Sequence, residues 1–155
     1  MRMIATAVAI LLTTAPVFAQ DAKPSLADLA TDSAMKEAFD KMAADHQMPD
    51  WIAANAVTSE GDEVSFDGKT YLAMSACKQH DCGANAMAVL YEPQEKVMYG
   101  VLSTSENDGA SEKLEWLNIG GNAESIDGKT LLYATLTGSV TNHPDDFKYT
   151  SEATE

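Results

Sequence analysis

Basic residues are scarce in this sequence, in which 10 lysines and arginines stand against 24 aspartates and glutamates. The formal net charge is −14, so the chain would repel phosphate groups, and nucleic acids and anionic membrane surfaces are poor partners for it. The same charge suits a basic protein as a partner. It would equally serve solubility alone, and the composition does not separate these two interpretations.

Long apolar runs are missing as well, apart from a short one near the start. The run Ile4–Leu12 follows Arg2 and precedes Pro16, and small residues occupy both positions that specify cleavage after Ala19. This run is too short to cross a bilayer, so residues 1–19 are predicted to be a secretory signal peptide. Because no cysteine for lipidation follows the signal, we expect a soluble mature chain in the periplasm of a Gram-negative bacterium.

The mature chain has the length of one domain. We predict that residues 20–34 form an N-terminal lead with the start of the first helix, that residues 35–149 form a single domain, and that residues 150–155 form a flexible tail.

Apolar residues recur at helical spacing in the first part of this chain. The helical positions are Leu26, Leu29, Ala30, Met35, Phe39 and Met42, and Trp51 and Ile52 anchor a short element after Pro49. Ser25 or Ser33 is expected to cap these turns.

From residue 57 the apolar period changes to two, which predicts strands. They are expected near residues 64–66, 71–76, 86–92, 97–104 and 114–118, with Asp67-Gly68 as a hairpin turn. Residues 127–138 fit a strand or a helix, and we favour a short helix that ends at Gly138. Residues 139–149 are expected to be a closing loop. The sum is an α+β domain, a central antiparallel β-sheet with a few short flanking helices.

Cysteine is nearly absent, and the two cysteines of the chain lie close together. Cys77 and Cys82 enclose Lys78, Gln79, His80 and Asp81 in the segment CKQHDC. In an oxidising compartment this pair is expected to form a disulfide.

Three chemical interpretations of this small ring are weak. A zinc site with cysteine ligands needs thiolates, but the chain has only two cysteines and they are expected in an oxidising compartment, and His46 and His143 are distant from the ring in sequence. Thiol oxidoreductases typically have two residues between their cysteines, whereas this ring has four. Hydrolysis by His80 and Asp81 lacks a nucleophile motif such as GxSxG. We therefore predict neither an enzyme, nor a metal site, nor a cofactor.

Two further interpretations of the ring stay open on the residues alone. The disulfide contributes about 2 kcal/mol by chain entropy, and it also holds the loop in one shape before a partner arrives, which lowers the entropy lost on binding. A rigid loop with an exposed histidine is suited to entering a cleft. Alternatively, the disulfide is a structural clip, and His80 is an exposed residue without a role.

The segment SACKQHDCGANAMAVLYE resembles the signature of the Ivy family, the inhibitors of vertebrate lysozyme. MPDWI before it, and EKLEWLN and SIDGKTLLYATLTGSVTNHPDDFKY after it, resemble other segments of that family in the same order. The resemblance covers residues Met35 to Tyr149. It implies a periplasmic protein, often a homodimer, that binds C-type lysozyme and protects peptidoglycan.

The resemblance also implies a role for each residue of the ring. His80 would enter the lysozyme cleft and form hydrogen bonds with the two catalytic carboxylates. Cys77 and Cys82 would form the bracing disulfide, and Lys78 and Asp81 would flank the plug. The alternative target is the cell's own lytic transglycosylases, which also have a catalytic carboxylate in a cleft.

The ring departs from the family pattern at Gln79, where proline is typical. Glutamine has a wider φ range than proline, and we expect its backbone N–H to be free. The loop should therefore be less rigid than one with proline.

Overall fold

The computed structural model describes residues 23–106, 109–120 and 124–147. It has a six-stranded antiparallel sheet with a few short helices. The predicted α+β fold class is therefore confirmed. The strands are β1 (Ala56–Thr58), β2 (Asp62–Phe66), β3 (Lys69–Lys78), β4 (Asn85–Glu92), β5 (Val97–Glu106) and β6 (Ser111–Leu117). The helices are α1 (Ser33–Ala43), α2 (Trp51–Ala54), α3 (Glu124–Leu136) and α4 (Ser139–Asn142), with 3-10 helices at Leu26–Ala30 and Pro144–Phe147.

The CKQHDC loop lies at one end of β3 and β4, two interior strands of the sheet. The order is β1-β3-β4-β5-β6, and β2 also pairs with β3. Strands β3 and β4 run antiparallel from Leu72↔Tyr91 to Cys77↔Ala86. The loop joins these two strands, so a long ladder of hydrogen bonds holds both of its ends.

Helices cover both faces of the sheet and create two apolar cores. On one face, α1, α2 and the first 3-10 helix pack against strand residues such as Met74, Met87 and Leu102. On the other face, α3 and α4 pack against residues such as Ala73, Leu90 and Val101. Because β4 lies between the two cores, all of its residues from Met87 to Glu92 are buried, which explains its continuous apolar sequence.

Helix α1 lies unusually close to β5 at Gly100. A Cβ atom added there would come within 2.8 Å of the Met42 Sδ and 3.2 Å of a Leu117 methyl carbon. The missing side chain is therefore what allows Met42 to fill the first core over the sheet.

The caps of the first two helical segments follow the predicted chemistry in part. Ser25 caps the 3-10 helix, and Asp28 completes a capping box with it. Asp32, rather than Ser33, caps α1, because its Oδ1 accepts hydrogen bonds from the N–H groups of Ala34 and Met35 at 2.8 and 3.0 Å.

The C-terminal part of the described chain is more regular than expected. Residues 127–138 contain a helix as predicted, although α3 begins earlier, at Glu124, and Gly138 ends it with a φ of 77°. The expected closing loop is wrong for residues 139–147, which form α4 and a 3-10 helix. The reason is tertiary: Val140 is buried and Phe147 packs against the second core, so the segment gains apolar contacts by turning.

The predicted signal peptide (residues 1–19) and the predicted tail (residues 150–155) lie outside the described residues. The predicted domain boundaries therefore stay predictions. Within the described ranges, none of the helices combines the length and apolar character needed to cross a membrane.

Candidate functional site

Cys77 and Cys82 form a disulfide, as predicted, with an S–S distance of 2.00 Å and a Cα–Cα distance of 4.8 Å. Cys77 is the second-to-last residue of β3, where it pairs with Val57 of β1 and Ala86 of β4. Cys82 lies in the loop and is exposed. Cys77 is therefore held by neighbouring strands on both sides, and the disulfide links it to Cys82, which lies outside the sheet.

The main chain of the loop folds back on itself in successive tight turns. The Asp81 N–H donates to the Lys78 carbonyl at 2.9 Å, and the Asp81 carbonyl accepts from the N–H groups of Ala84 and Asn85 at 3.1 and 3.0 Å. The Ala84 carbonyl in turn accepts from the Ser105 N–H of β5 at 2.8 Å. The segment that returns to β4 is thus tied to the sheet before β4 begins.

The Asp81 carboxylate is held inside the loop by two donors. Its Oδ2 accepts from Lys78 Nζ at 3.1 Å and from Asn85 Nδ2 at 2.8 Å. These partners, Lys78 first and Asn85 second, hold the pKa of the Asp81 carboxyl below its ordinary value. Asp81 is therefore ionised at neutral pH, and the charges of Lys78 and Asp81 offset each other.

His80 lies at the exposed tip of the loop, in a left-handed backbone conformation with a φ of 65°. Histidine is among the few residues other than glycine that are enriched there. Within the described residues, no hydrogen bond or ion pair of its imidazole is found. The described residues therefore leave both ring nitrogens unpaired.

Gln79 is tied to a helix, contrary to the sequence-based expectation. Its N–H donates to the carbonyl oxygen of Asn55 at 3.0 Å, and Asn55 is the C-cap of α2. The expectation of a free N–H at Gln79 is therefore wrong. A proline at this position would lack the donor, so this bond requires a residue other than proline at position 79.

The other two histidines lie elsewhere. His46 Nδ1 is 2.7 Å from Glu115 Oε1 on β6, and His143 is the C-cap of α4. Within the described part of the chain, no group of three or more His, Cys, Asp and Glu side chains is arranged to hold a metal ion.

Sequence reasoning missed three residues beside the loop. Asn55 acts through its backbone carbonyl, which no side-chain pattern reveals. Asn85 lies four positions after Asp81, and this spacing gains a meaning only once the loop is known to turn tightly. Val57 is 50 % exposed opposite Cys77, so it adds an apolar surface at the root of the loop.

Comparisons with known proteins show which family this chain resembles. Residues 34–117 match the family model described as inhibitor of vertebrate lysozyme (Ivy). The chain is 40 % identical over 144 residues to the inhibitor of vertebrate lysozyme of Escherichia coli K12, which covers 93 % of this chain and 90 % of that protein. It is 28 % identical over 89 residues to the protein of the same name from Pseudomonas aeruginosa, covering 56 % and 58 % of the two chains. These names describe inhibitors and not enzymes, as predicted for this chain.

Proposed function

This chain belongs to the Ivy family, the inhibitors of vertebrate lysozyme, and from that premise we propose that it inhibits a C-type lysozyme by inserting the Cys77–Cys82 loop into the active-site cleft. The observation that supports this proposal most directly is His80, an exposed histidine at the tip of a loop that a disulfide closes.

The chemistry of the target explains why a histidine is suitable. A retaining glycosidase such as lysozyme has two catalytic carboxyl groups about 5 Å apart. Imidazole has two nitrogens on opposite sides of its ring. When protonated it donates to both carboxylates, and the opposite charge strengthens each bond. The loop offers no glycosidic bond, so the cleft is filled and no reaction follows.

The internal pairing of Asp81 supports the same mechanism. A free aspartate next to His80 would bring a negative charge toward the two carboxylates of the target. Here Lys78 lies 3.1 Å from the Asp81 carboxylate, and Asn85 donates to the same oxygen. The pair reduces this repulsion, so His80 approaches the acidic cleft beside a nearly neutral loop.

The shape of the loop before binding contributes as well. The disulfide, the tight turns and the bond from Gln79 to Asn55 order the loop in the free protein. Less conformational entropy is then lost on association. The negative charge of the chain, −14 in formal terms, would attract a basic lysozyme from a distance.

The proposed site of action is the periplasm. The signal pattern in residues 1–19 and the disulfide both suit an exported protein. The homodimer that the resemblance implies stays a prediction.

Lysis of murein by hen egg-white lysozyme, a C-type enzyme, tests the proposal. The purified protein is compared with His80→Ala and with His143→Ala, a control that removes another histidine from an exposed C-terminal position. We expect the wild type and His143→Ala to inhibit and His80→Ala to lose most inhibition. Equal inhibition by all three would overturn the role of the loop. No inhibition by the wild type would overturn this target, and the same proteins would then be assayed against a lytic transglycosylase.

A further inference from the structure

Asn85 connects the loop to β4, the strand that lies buried between the two cores. It is the first residue of β4 and pairs with Thr104 of β5. Its side-chain Nδ2 donates to the Asp81 Oδ2 at 2.8 Å, and its backbone N–H donates to the Asp81 carbonyl at 3.0 Å. Asp81 follows His80 directly in sequence, so Asn85 holds the residue next to the tip at both its side chain and its main chain.

The other contacts of the loop do not provide this connection. The disulfide closes the ring, and the ion pair of Lys78 and Asp81 lies within it. Both contacts start from the last two residues of β3, so neither ties the ring to β4. On the α2 side, the bond from Gln79 to Asn55 provides one such link. On the β4 side, Asn85 is the side chain that links the ring to a strand.

The backbone of His80 makes this support necessary. A non-glycine residue with a φ of 65° occupies a sparsely populated region, and it stays there only when its surroundings determine the conformation. Asp81 is the neighbour whose position decides the peptide plane after His80. A side chain that fixes Asp81 therefore also limits the conformations of His80.

We propose that Asn85 is a positioning residue for His80, acting through the Asp81 carboxylate. This inference rests on the proposed function, because it assigns Asn85 a part in presenting the inhibitory histidine. It also gives Asp81 a role in the free protein, that of an internal brace, in addition to any contact with the target. Asn85 itself need not touch lysozyme.

A double-mutant cycle with hen egg-white lysozyme tests this coupling. The variants are Asn85→Ala, His80→Ala and the double variant, with Asn142→Ala as a control for loss of an exposed asparagine elsewhere. We expect Asn85→Ala to weaken inhibition about tenfold when His80 is present, as for loss of a hydrogen bond to a charged group. When His80 is absent, we expect a change of less than about twofold. Equal factors in both backgrounds, or no effect in either, would overturn the inference.

A second measurement determines the backbone order of the loop in the free protein, without lysozyme. Backbone ¹⁵N relaxation of the free protein reports the order parameter of the His80 amide, which we expect near 0.85 in the wild type and below about 0.6 in Asn85→Ala. An unchanged value in the variant would overturn the positioning role whatever the lysozyme assay gives. Failure of the proposed function appears elsewhere, in a wild type that does not inhibit or in His80→Ala that inhibits normally, so the two failures are distinguishable. Thermal unfolding of each variant establishes that it folds.

Discussion

The N–H of Gln79 and the carbonyl oxygen of Asn55 lie 3.0 Å apart, which ties the Cys77–Cys82 loop to the end of α2. This bond replaces one kind of restraint with another. Proline would limit φ covalently, whereas glutamine supplies a donor that fixes the loop against a neighbouring helix. The departure from the family pattern therefore does not leave the loop unsupported.

Gln79→Pro is consequently expected to lower stability in this chain, although proline is typical of the family. Replacement of a residue whose N–H is hydrogen-bonded destabilises by more than the entropy gain from proline, and we expect a loss of about 1 kcal/mol. Urea unfolding of Gln79→Pro measures it, with Gln79→Ala as the control that keeps the N–H. A proline variant more stable than the wild type would show that the bond to Asn55 is unimportant.

The variants His80→Gly and His80→Ala are expected to distinguish the contribution of the backbone conformation at residue 80 from that of its imidazole. Both variants lose the side chain, so each should weaken lysozyme binding by at least about 2 kcal/mol, as expected at a central contact. Glycine adopts a φ of 65° without a steric penalty, whereas alanine does not. We therefore expect His80→Gly to be more stable to unfolding than His80→Ala by about 1 kcal/mol.

Calorimetric titration and thermal unfolding of the same samples give both quantities. If the two variants are equally stable, the left-handed conformation of residue 80 does not persist in solution. If either binds like the wild type, the imidazole is not the main contact.

The Asp81 carboxyl is expected to titrate below 3.8, its ordinary value, because Lys78 and Asn85 both stabilise the ionised form. The sign follows from the lowered pKa: the brace is present at neutral pH and is lost as the pH falls through the pKa of the folded protein. An NMR titration of the Asp81 side-chain carbon measures the midpoint. Lys78→Met should raise it more than Asn85→Ala, since Lys78 is the larger cause. A wild-type midpoint at or above 3.8 would contradict the brace.

A short local sequence does not always determine the secondary structure that it adopts. The tetrapeptide DGKT illustrates this limit of sequence-based prediction, because it occurs at 67–70 and again at 127–130. In the first copy Asp67 and Gly68 have φ values of 51° and 70°, which suit a two-residue hairpin turn. The second copy lies inside α3. The residues that follow decide between these structures, since Leu131 and Leu132 are both buried on the helix in the second core.

The ring and its histidine could be predicted from the sequence, because the disulfide and the exposed tip are local features. The residues that support the ring could not be predicted. Asn55 contributes a backbone oxygen from a helix that is distant in sequence, and Asn85 becomes a partner of Asp81 only through the turns of the loop. The short helix α4 escaped prediction because the burial of Val140 stabilises it, rather than its own propensity.

Association with lysozyme is expected to slow as salt is added, because the attraction between an acidic chain and a basic enzyme acts over a distance. Between about 0.01 and 0.1 M salt the Debye length falls from about 30 to about 10 Å, so the association rate should fall over this range while the dissociation rate changes little. Stopped-flow measurements resolve the two rates. His80→Ala serves as the matched control. This variant should dissociate faster, but its association rate should depend on salt in the same way as that of the wild type. The attracting charge is spread over the whole chain, whereas the imidazole contact acts only at short range. An association rate that does not respond to salt would remove charge attraction from the mechanism and would leave the shape of the loop as the source of binding.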